Sequence, residues 1–101
     1  MKITINNKEY KSVKMTRKYY KIYMEAFKQL ENKEMYEDDD LDLMIKILVK
    51  LYDNNFTEDD INNELSVYEI VYNFMMLQEN ELLELNKKIE KAQKAFQKSK
   101  Q

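Results

Sequence analysis

The side chains that most enzymes use for catalysis are missing from this sequence. The 101 residues include no Cys and no His, which removes thiolate nucleophiles, thiolate metal sites, and the commonest general base and metal ligand. They also include no Gly, which excludes a Gly-rich phosphate loop, a nucleophile elbow and a dinucleotide fingerprint. We therefore expect no enzymatic activity and no cofactor. Carboxylates, lysines and tyrosines remain as the groups whose clustering could form a site.

Two acidic segments have the residue types of a hard-cation site. The run Glu37–Asp42 supplies five carboxylates. The segment from residue 53 to residue 64 is similar to a calcium loop, with Asp53, Asn55, Thr57 and Glu64 at positions one, three, five and twelve. Position six of such a loop should be Gly, and it is Glu58 here. Because acids at a helix start usually complement the helix dipole, we expect helix N-termini in both segments and no metal site.

A basic segment with interleaved tyrosines could stack bases and contact phosphates. Its members are Lys14, Arg17, Lys18, Lys21, Tyr19, Tyr20 and Tyr23. Tyr20 and Tyr23 fall on the apolar stripe of a predicted helix, where core packing is the simpler role. The chain has one Arg, so bidentate recognition of phosphates or bases is poorly supplied. Nucleic-acid binding is therefore kept as the alternative hypothesis. The main hypothesis about function rests on the predicted helices.

The first residues predict a β-hairpin. Ile3 and Ile5 alternate with polar residues, which is the pattern of a strand with one buried face. The pair Asn6-Asn7 can supply the turn, because Asn and Asp tolerate positive φ best in a chain without Gly. Since a lone hairpin is only marginally stable, it must pack on helices or pair with an edge strand of another chain.

Capping residues predict two helices in the first half of the chain. Thr16 is a good N-cap for a helix that runs to about Asn32. The apolar stripe of this helix consists of Tyr20, Tyr23, Phe27 and Leu30. The acidic run Glu37–Asp40 favours the start of a second helix, which should end at Asp53.

Two more helices are predicted in the second half. Thr57 caps a short one, and Ser66 with Glu69 forms a capping box at the start of a long one, which could run to about Phe96. The predicted fold class is α+β and mostly helical, with an N-terminal β-hairpin packed on a small helical bundle and a long C-terminal helix. The side chains expected to be most buried are Phe27, Leu48, Phe74 and Leu77.

The long last helix carries more apolar surface than a domain of this size needs. Its first half has two apolar faces, whereas its second half keeps one stripe at heptad-like spacing. We expect residues 1–85 to form the hairpin and helical-bundle domain, and residues 86–101 to form a basic C-terminal helical extension. The residues expected to bind a partner are Met75, Met76, Leu82, Leu85, Ile89 and Phe96. The two methionines have flexible side chains that suit irregular partners.

Charge is segregated into three blocks along the chain. Residues 1–33 carry a formal charge of +6, residues 34–85 carry −13 and residues 86–101 carry +5. This order favours antiparallel or head-to-tail self-association, and an apolar stripe in water also favours a homo-oligomer. The alternative is that the blocks are solvated faces, with the last lysines complementing a helix dipole. No run approaches 18 apolar residues, so we expect no membrane span.

Several segments of the chain are also similar to a known family. They are Met1–Tyr10, Met15–Tyr20, Asp40–Met44, Leu51–Ile61 and Leu65–Ile70. Together they resemble the tail assembly chaperones of siphophages that infect Gram-positive bacteria. The central part is the most specific, because it has the family's apolar helix, a turn of the form N-x-F-T-x-D-D, and a following helix. The resemblance covers most of residues 1–85 and does not extend into the tail.

This resemblance implies a non-enzymatic helper protein in the host bacterial cytoplasm. It implies that the chain binds the phage tape measure protein and keeps it soluble until tail tube subunits polymerise around it. The tail tube protein is then a second candidate partner. The alternative is a small nucleic-acid-binding phage regulator. A gene position beside a very long, tape-measure-like reading frame would separate the two hypotheses.

Overall fold

The computed structural model describes residues 1–99 and places the side chains of residues 1–96. Within that range the element order is a hairpin followed by helices. The strands are β1 (Lys2–Ile5) and β2 (Lys8–Lys11). The helices are α1 (Arg17–Leu30), α2 (Asp38–Leu51), α3 (Glu58–Glu64) and α4 (Val67–Ser99). The predicted fold class, α+β and mostly helical with a long C-terminal helix, is confirmed.

The hairpin forms as the alternation predicted. β1 and β2 are antiparallel, and Ile3 lies opposite Tyr10. Asn6 has a φ of 55° and Asn7 a φ of 62°, as the central residues of a tight two-residue hairpin turn require. Ile3 and Ile5 are buried in the main core, so the hairpin packs on the helices.

Asn and Asp take the place of Gly wherever the described backbone needs positive φ. The residues with positive φ are Asn6, Asn7, Asn32, Asp53 and Asn54. The last three lie just after α1 and α2, where a left-handed residue often ends a helix. The abundance of Asn in this chain therefore has a structural use at these turns.

The helix starts carry the predicted caps, with one difference. Reciprocal side-chain and backbone hydrogen bonds join Thr57 with Asp60, and Ser66 with Glu69. The acidic run begins α2 through a capping box that includes Asp40. Thr16 occupies the N-cap position of α1, but its side chain makes no capping hydrogen bond.

The core is centred on α2, which packs against α1, α3 and α4. Leu48, Phe74 and Leu77 are buried as predicted, but Phe27 is only partly buried and packs at the edge of the core. Tyr20 was also expected on the core stripe, and it is exposed. The buried stripe of α1 consists of Tyr23, Ala26 and Leu30. It is rotated from the predicted one, so Phe27 lies at its edge and Tyr20 lies outside it.

The last helix changes environment along its length. Ile70, Phe74 and Leu77 are buried, whereas every residue from Leu82 to Phe96 is exposed. The molecule is elongated, with extents of 57 × 32 × 23 Å, because 33 residues of helix are longer than the bundle beside them. Over the described residues, α4 and the other helices are too polar or too short to cross a membrane.

Candidate partner-binding site

The main candidate surface is the apolar stripe on the exposed part of α4, which we call the seam. It consists of Leu82, Leu85, Ile89, Ala92 and Phe96. Leu82 is 47% exposed, Leu85 53% and Ile89 46%. Their spacing of three and four residues places them on one side of the helix. Large aliphatic side chains gathered on one exposed stripe typically mark a protein-binding surface.

The seam begins at a groove between α1 and α4. This groove has a volume of about 220 Å³ and is lined by Tyr20, Gln78, Glu81, Leu82 and Leu85. Its lining is mostly apolar, and Tyr20 supplies an aromatic wall from α1. A bulky aliphatic side chain of a partner helix could fill it.

Tyr20 is therefore a candidate site residue that sequence reasoning assigned to the core. It is 46% exposed, whereas Tyr23 on the next turn of α1 is 1% exposed. The sequence signal was available in Ala26, because a stripe through Tyr23, Ala26 and Leu30 leaves Tyr20 outside. The predicted stripe was chosen by its large aromatic residues, and the small residue Ala26 was therefore left out of it.

The structure separates the two methionines predicted to bind a partner. Met75 is partly buried and packs against the core. Met76 is also partly buried, but it is not in that cluster. Adjacent residues of a helix point about 100° apart, so the two side chains cannot share one contact stripe. Met75 continues the line of the seam, and Met76 does not.

Met76 belongs instead to a second stripe on α4 that the predicted site did not include. This outer stripe consists of Tyr68, Tyr72, Met76 and Leu83. The rings of Tyr68 and Tyr72 stack with their centroids 5.9 Å apart, and Leu83 is 54% exposed. The seven-residue spacing from Met76 to Leu83 was the signal in the sequence.

Charge changes sign along the second half of α4. Glu79, Glu81 and Glu84 precede the basic residues Lys87, Lys88, Lys91 and Lys94, among which Glu90 is the one acid. Lys87 Nζ lies 3.8 Å from Glu84 Oε1 in an exposed ion pair. Such pairs add little stability, but the two charge blocks can orient a partner.

The acidic run at the start of α2 has a structural use. Oδ1 of Asp40 accepts a hydrogen bond of 2.7 Å from Lys33 Nζ, and Oδ2 accepts one of 2.9 Å from the backbone N–H of Glu37. The bond from Lys33, with that from Glu37, holds the pKa of Asp40 below its usual value. The same bond to Asp40 raises the pKa of Lys33. Both oxygens thus stabilise the connection from α1 to α2.

The segment similar to a calcium loop is also used by the fold. Asn55 Nδ2 donates to the backbone oxygen of Tyr52, and Thr57 caps α3. Across the described residues, no three or more side chains of His, Cys, Asp or Glu are grouped to hold a metal ion.

The basic segment with tyrosines loses part of its proposed stacking surface. Tyr23 is in the core, where its hydroxyl donates to the backbone oxygen of Phe74 at 2.7 Å. Tyr19 is partly buried, and Lys18 Nζ lies 5.8 Å from the centroid of its ring. Tyr20 alone of the three is exposed, and it lines the groove at the seam. The segment therefore resembles a base-stacking platform less than the sequence suggested.

The whole chain matches a known protein family. A family model described as Phage tail chaperone protein matches residues 1–101. The chain belongs to the phage tail chaperone family. No curated protein and no solved structure gives a significant match.

The extent of the family match corrects one sequence-based expectation. The resemblance was expected to end near residue 85, but the match of the phage tail chaperone family includes residues 86–101. Part of the seam, including Ile89 and Phe96, lies in that segment. The exposed part of α4 is therefore within the family's sequence pattern.

Proposed function

We propose that this phage tail chaperone binds the tape measure protein of its phage and keeps it soluble until the tail tube assembles around it. The single observation that carries the proposal is the exposed seam on α4. A helix whose apolar stripe lies outside its own core can pack against an amphipathic helix of a client. The predicted contacts are Leu82, Leu85, Ile89 and Phe96, with Met75 at the edge of the domain and Met76 on the outer stripe.

The role we propose is non-enzymatic and takes place in the host bacterial cytoplasm. A chain without Cys, His or Gly has few routes to a catalytic site, and binding alone is sufficient for a chaperone. The tail tube protein is a second partner in this proposal, because it must displace the chaperone as it polymerises. In this proposal the protein also forms a homo-oligomer. Before a client is made, the seam of a second copy is available to cover the exposed seam of the first.

Co-expression with the tape measure protein tests the proposed function. The readout is the amount of tape measure protein in the supernatant after sedimentation, followed by pull-down on a tag of the chaperone. Wild type should keep the client soluble and should be recovered with it. The double substitution Leu85→Gln and Ile89→Gln should lose both effects, because it places polar groups in the seam.

A matched control keeps the net charge and helix propensity but leaves the seam intact. Lys87 and Glu90 lie off the seam on the same exposed part of α4. The double substitution Lys87→Gln and Glu90→Gln should therefore behave like wild type. The proposal is wrong if the client stays insoluble with wild type. Retention of DNA or RNA by the purified chain would then favour the nucleic-acid-binding regulator.

A further inference from the structure

The seam has the spacing and the charge pattern of an antiparallel coiled coil. We propose that, before a client binds, the seams of two copies pair antiparallel, with Leu82 of each chain against Leu85 of the other. This inference rests on the proposed function in one respect, namely that the seam is a binding surface. It adds the occupant of that surface, its orientation and its register.

The heptad spacing holds over four heptads, and Gln78 is the one polar member of the stripe. Intervals of four and three residues alternate through Val71, Met75, Gln78, Leu82, Leu85, Ile89, Ala92 and Phe96. A repeat of 3.5 residues keeps one stripe facing a partner helix along its whole length, which is the property of a coiled coil. The first members lie beside the domain core, since Val71 and Met75 pack against it. Gln78 is partly exposed, and Leu82, Leu85 and Ile89 are exposed, so this part of the stripe can meet a second helix.

Charge decides the orientation of the two helices. The acidic block Glu79–Glu84 precedes the basic block Lys87–Lys94 along the second half of α4. A parallel pair in register would place each block beside the same block of the other copy. An antiparallel pair places the acidic block of each copy beside the basic block of the other. Complementary charges set partner orientation in coiled coils.

Charge also selects the register. Glu81 and Lys88 flank the seam on the same side, seven residues apart. When Leu82 lies against Leu85 of the second copy, Glu81 of each chain lies beside Lys88 of the other, which gives two ion pairs. In an antiparallel pair, the residue numbers of two facing positions add up to a constant. Sliding the partner by one heptad raises this sum by seven, so Lys88 would then lie beside Lys88 of the other copy instead of beside Glu81.

This register also fills the groove beside α1. It places Ile89 of the second copy against Gln78, at the groove of about 220 Å³ that Tyr20, Leu82 and Leu85 help to line. The aliphatic side chain of Ile89 would then cover apolar surface of Tyr20. The exposure of this tyrosine in the single chain is thus explained as a contact surface for a second copy.

Disulfide trapping tests the pairing, because the chain has no native Cys. Two single variants, Gln78→Cys and Ile89→Cys, are made with tags of different length, mixed, oxidised and run on a non-reducing gel. Neither position is in the fully buried core, so both variants should fold. The antiparallel register predicts one abundant product, a disulfide between Cys at 78 of one chain and Cys at 89 of the other.

Each variant alone should give little disulfide-linked dimer. In the antiparallel register, two copies of position 89 are offset by 11 residues, or roughly 16 Å of helix, whereas a disulfide needs Cα atoms within about 7 Å. A parallel pair would give the opposite result, with abundant dimer from each variant alone. That result, or no specific product in the mixture, would overturn the inference.

A charge exchange gives an independent readout in the uncrosslinked protein. Glu81→Lys or Lys88→Glu alone should weaken dimerisation several-fold, because each puts like charges together twice. The double variant with both substitutions should recover most of the loss, and no recovery would count against the register. These measurements need no client. The self-pairing can therefore fail while the tape measure protein is still kept soluble. Equally, the self-pairing can be found while the client stays insoluble, so the two proposals are tested separately.

Discussion

At the scale of single residues, two buried tyrosines differ in what their hydroxyl groups contact. The hydroxyl of Tyr23 donates to the backbone oxygen of Phe74, between α1 and α4. The hydroxyl of Tyr52 has no hydrogen-bond partner among the described residues. Burial raises the pKa of both side chains, that of Tyr52 to about 12. Both are therefore protonated at neutral pH, and only Tyr23 uses its proton in a protein hydrogen bond.

The first prediction compares Tyr23→Phe with Tyr52→Phe. Tyr23→Phe should lower the free energy of unfolding by about 1 kcal/mol, which is typical for the loss of one buried hydrogen bond. Tyr52→Phe should leave it unchanged or raise it, because it removes a buried polar atom that has no protein partner. Urea denaturation measures both. Equal losses for the two variants would show that the Tyr23 hydrogen bond adds no stability.

The second prediction concerns the pH dependence of Asp40. Its pKa is lowered in the folded chain, so its contribution to stability is present above its unfolded pKa of about 4. That contribution is lost as the pH falls through the lower, folded-state value. The melting temperature of Asp40→Asn should thus be below that of wild type at pH 7, and the difference should shrink as the pH falls below about 4.

The matched control for this prediction is Asp39→Asn. Asp39 is also in the first turn of α2, but it is exposed, and it makes neither of the two hydrogen bonds found for Asp40. Its substitution should cost less at neutral pH and change the acid response less. An identical acid response in the two variants would contradict the role given to the Lys33–Asp40 pair.

At the scale of elements, short-range signals in the sequence predicted more than the apolar pattern did. The capping boxes at Thr57 and Ser66 depend on residues three positions apart, so the sequence contains all that is needed to place them. The rotation of α1 depends on which of two overlapping stripes meets α2. Ala26 indicated the observed stripe, but its small side chain is a weaker apolar signal than the rings of Tyr20 and Phe27, which is why these two residues were placed wrongly.

The third prediction uses two leucines of α4. Leu77 is 2% exposed and Leu83 is 54% exposed. Leu77→Ala should lower the free energy of unfolding by about 2–5 kcal/mol through lost burial and a new cavity. Leu83→Ala should change it by less than about 0.5 kcal/mol. Chemical denaturation of the two variants checks the phase of α4, and similar losses at both positions would show that this phase is wrong.

The fourth prediction tests whether residues 1–85 are a domain, a division predicted from the sequence. All buried side chains of α4 in the described range lie at or before Leu77. A chain that ends after Leu85 should therefore unfold cooperatively, with a melting temperature within a few degrees of the full chain. The comparison requires a concentration at which the full chain is monomeric, because self-association would stabilise it by mass action. A truncated chain without a cooperative transition would contradict the division.

At the scale of the whole molecule, the sequence predicted that an exposed apolar surface exists, but it did not predict all the residues that form it. The heptad-like spacing from Leu82 to Phe96 identified the seam. Its residues are exposed because α4 is longer than the helical bundle and extends beyond it. The contribution of Tyr20 came from a different helix, and no local pattern joins α1 to the groove at Gln78. The outer stripe was missed because its tyrosines precede the segment where the heptad pattern is obvious.

The last prediction is the response of client binding to salt. The seam offers apolar side chains. Of the charges near it, Glu84, Lys87 and Lys88 are exposed and Glu81 is partly exposed, so ion pairs with a client should each contribute only about 0.2–1 kcal/mol. Salt screens these pairs but not the apolar contact. The affinity for a tape measure segment should therefore fall by less than about tenfold between roughly 50 and 200 mM salt. A protein that makes many phosphate contacts would lose affinity by about a thousandfold or more over the same range.

Titration of a labelled tape measure segment, with a DNA oligonucleotide measured in parallel, separates the two behaviours. A steep salt dependence for the client, or tight binding of the oligonucleotide, would show that charge and not the seam carries recognition.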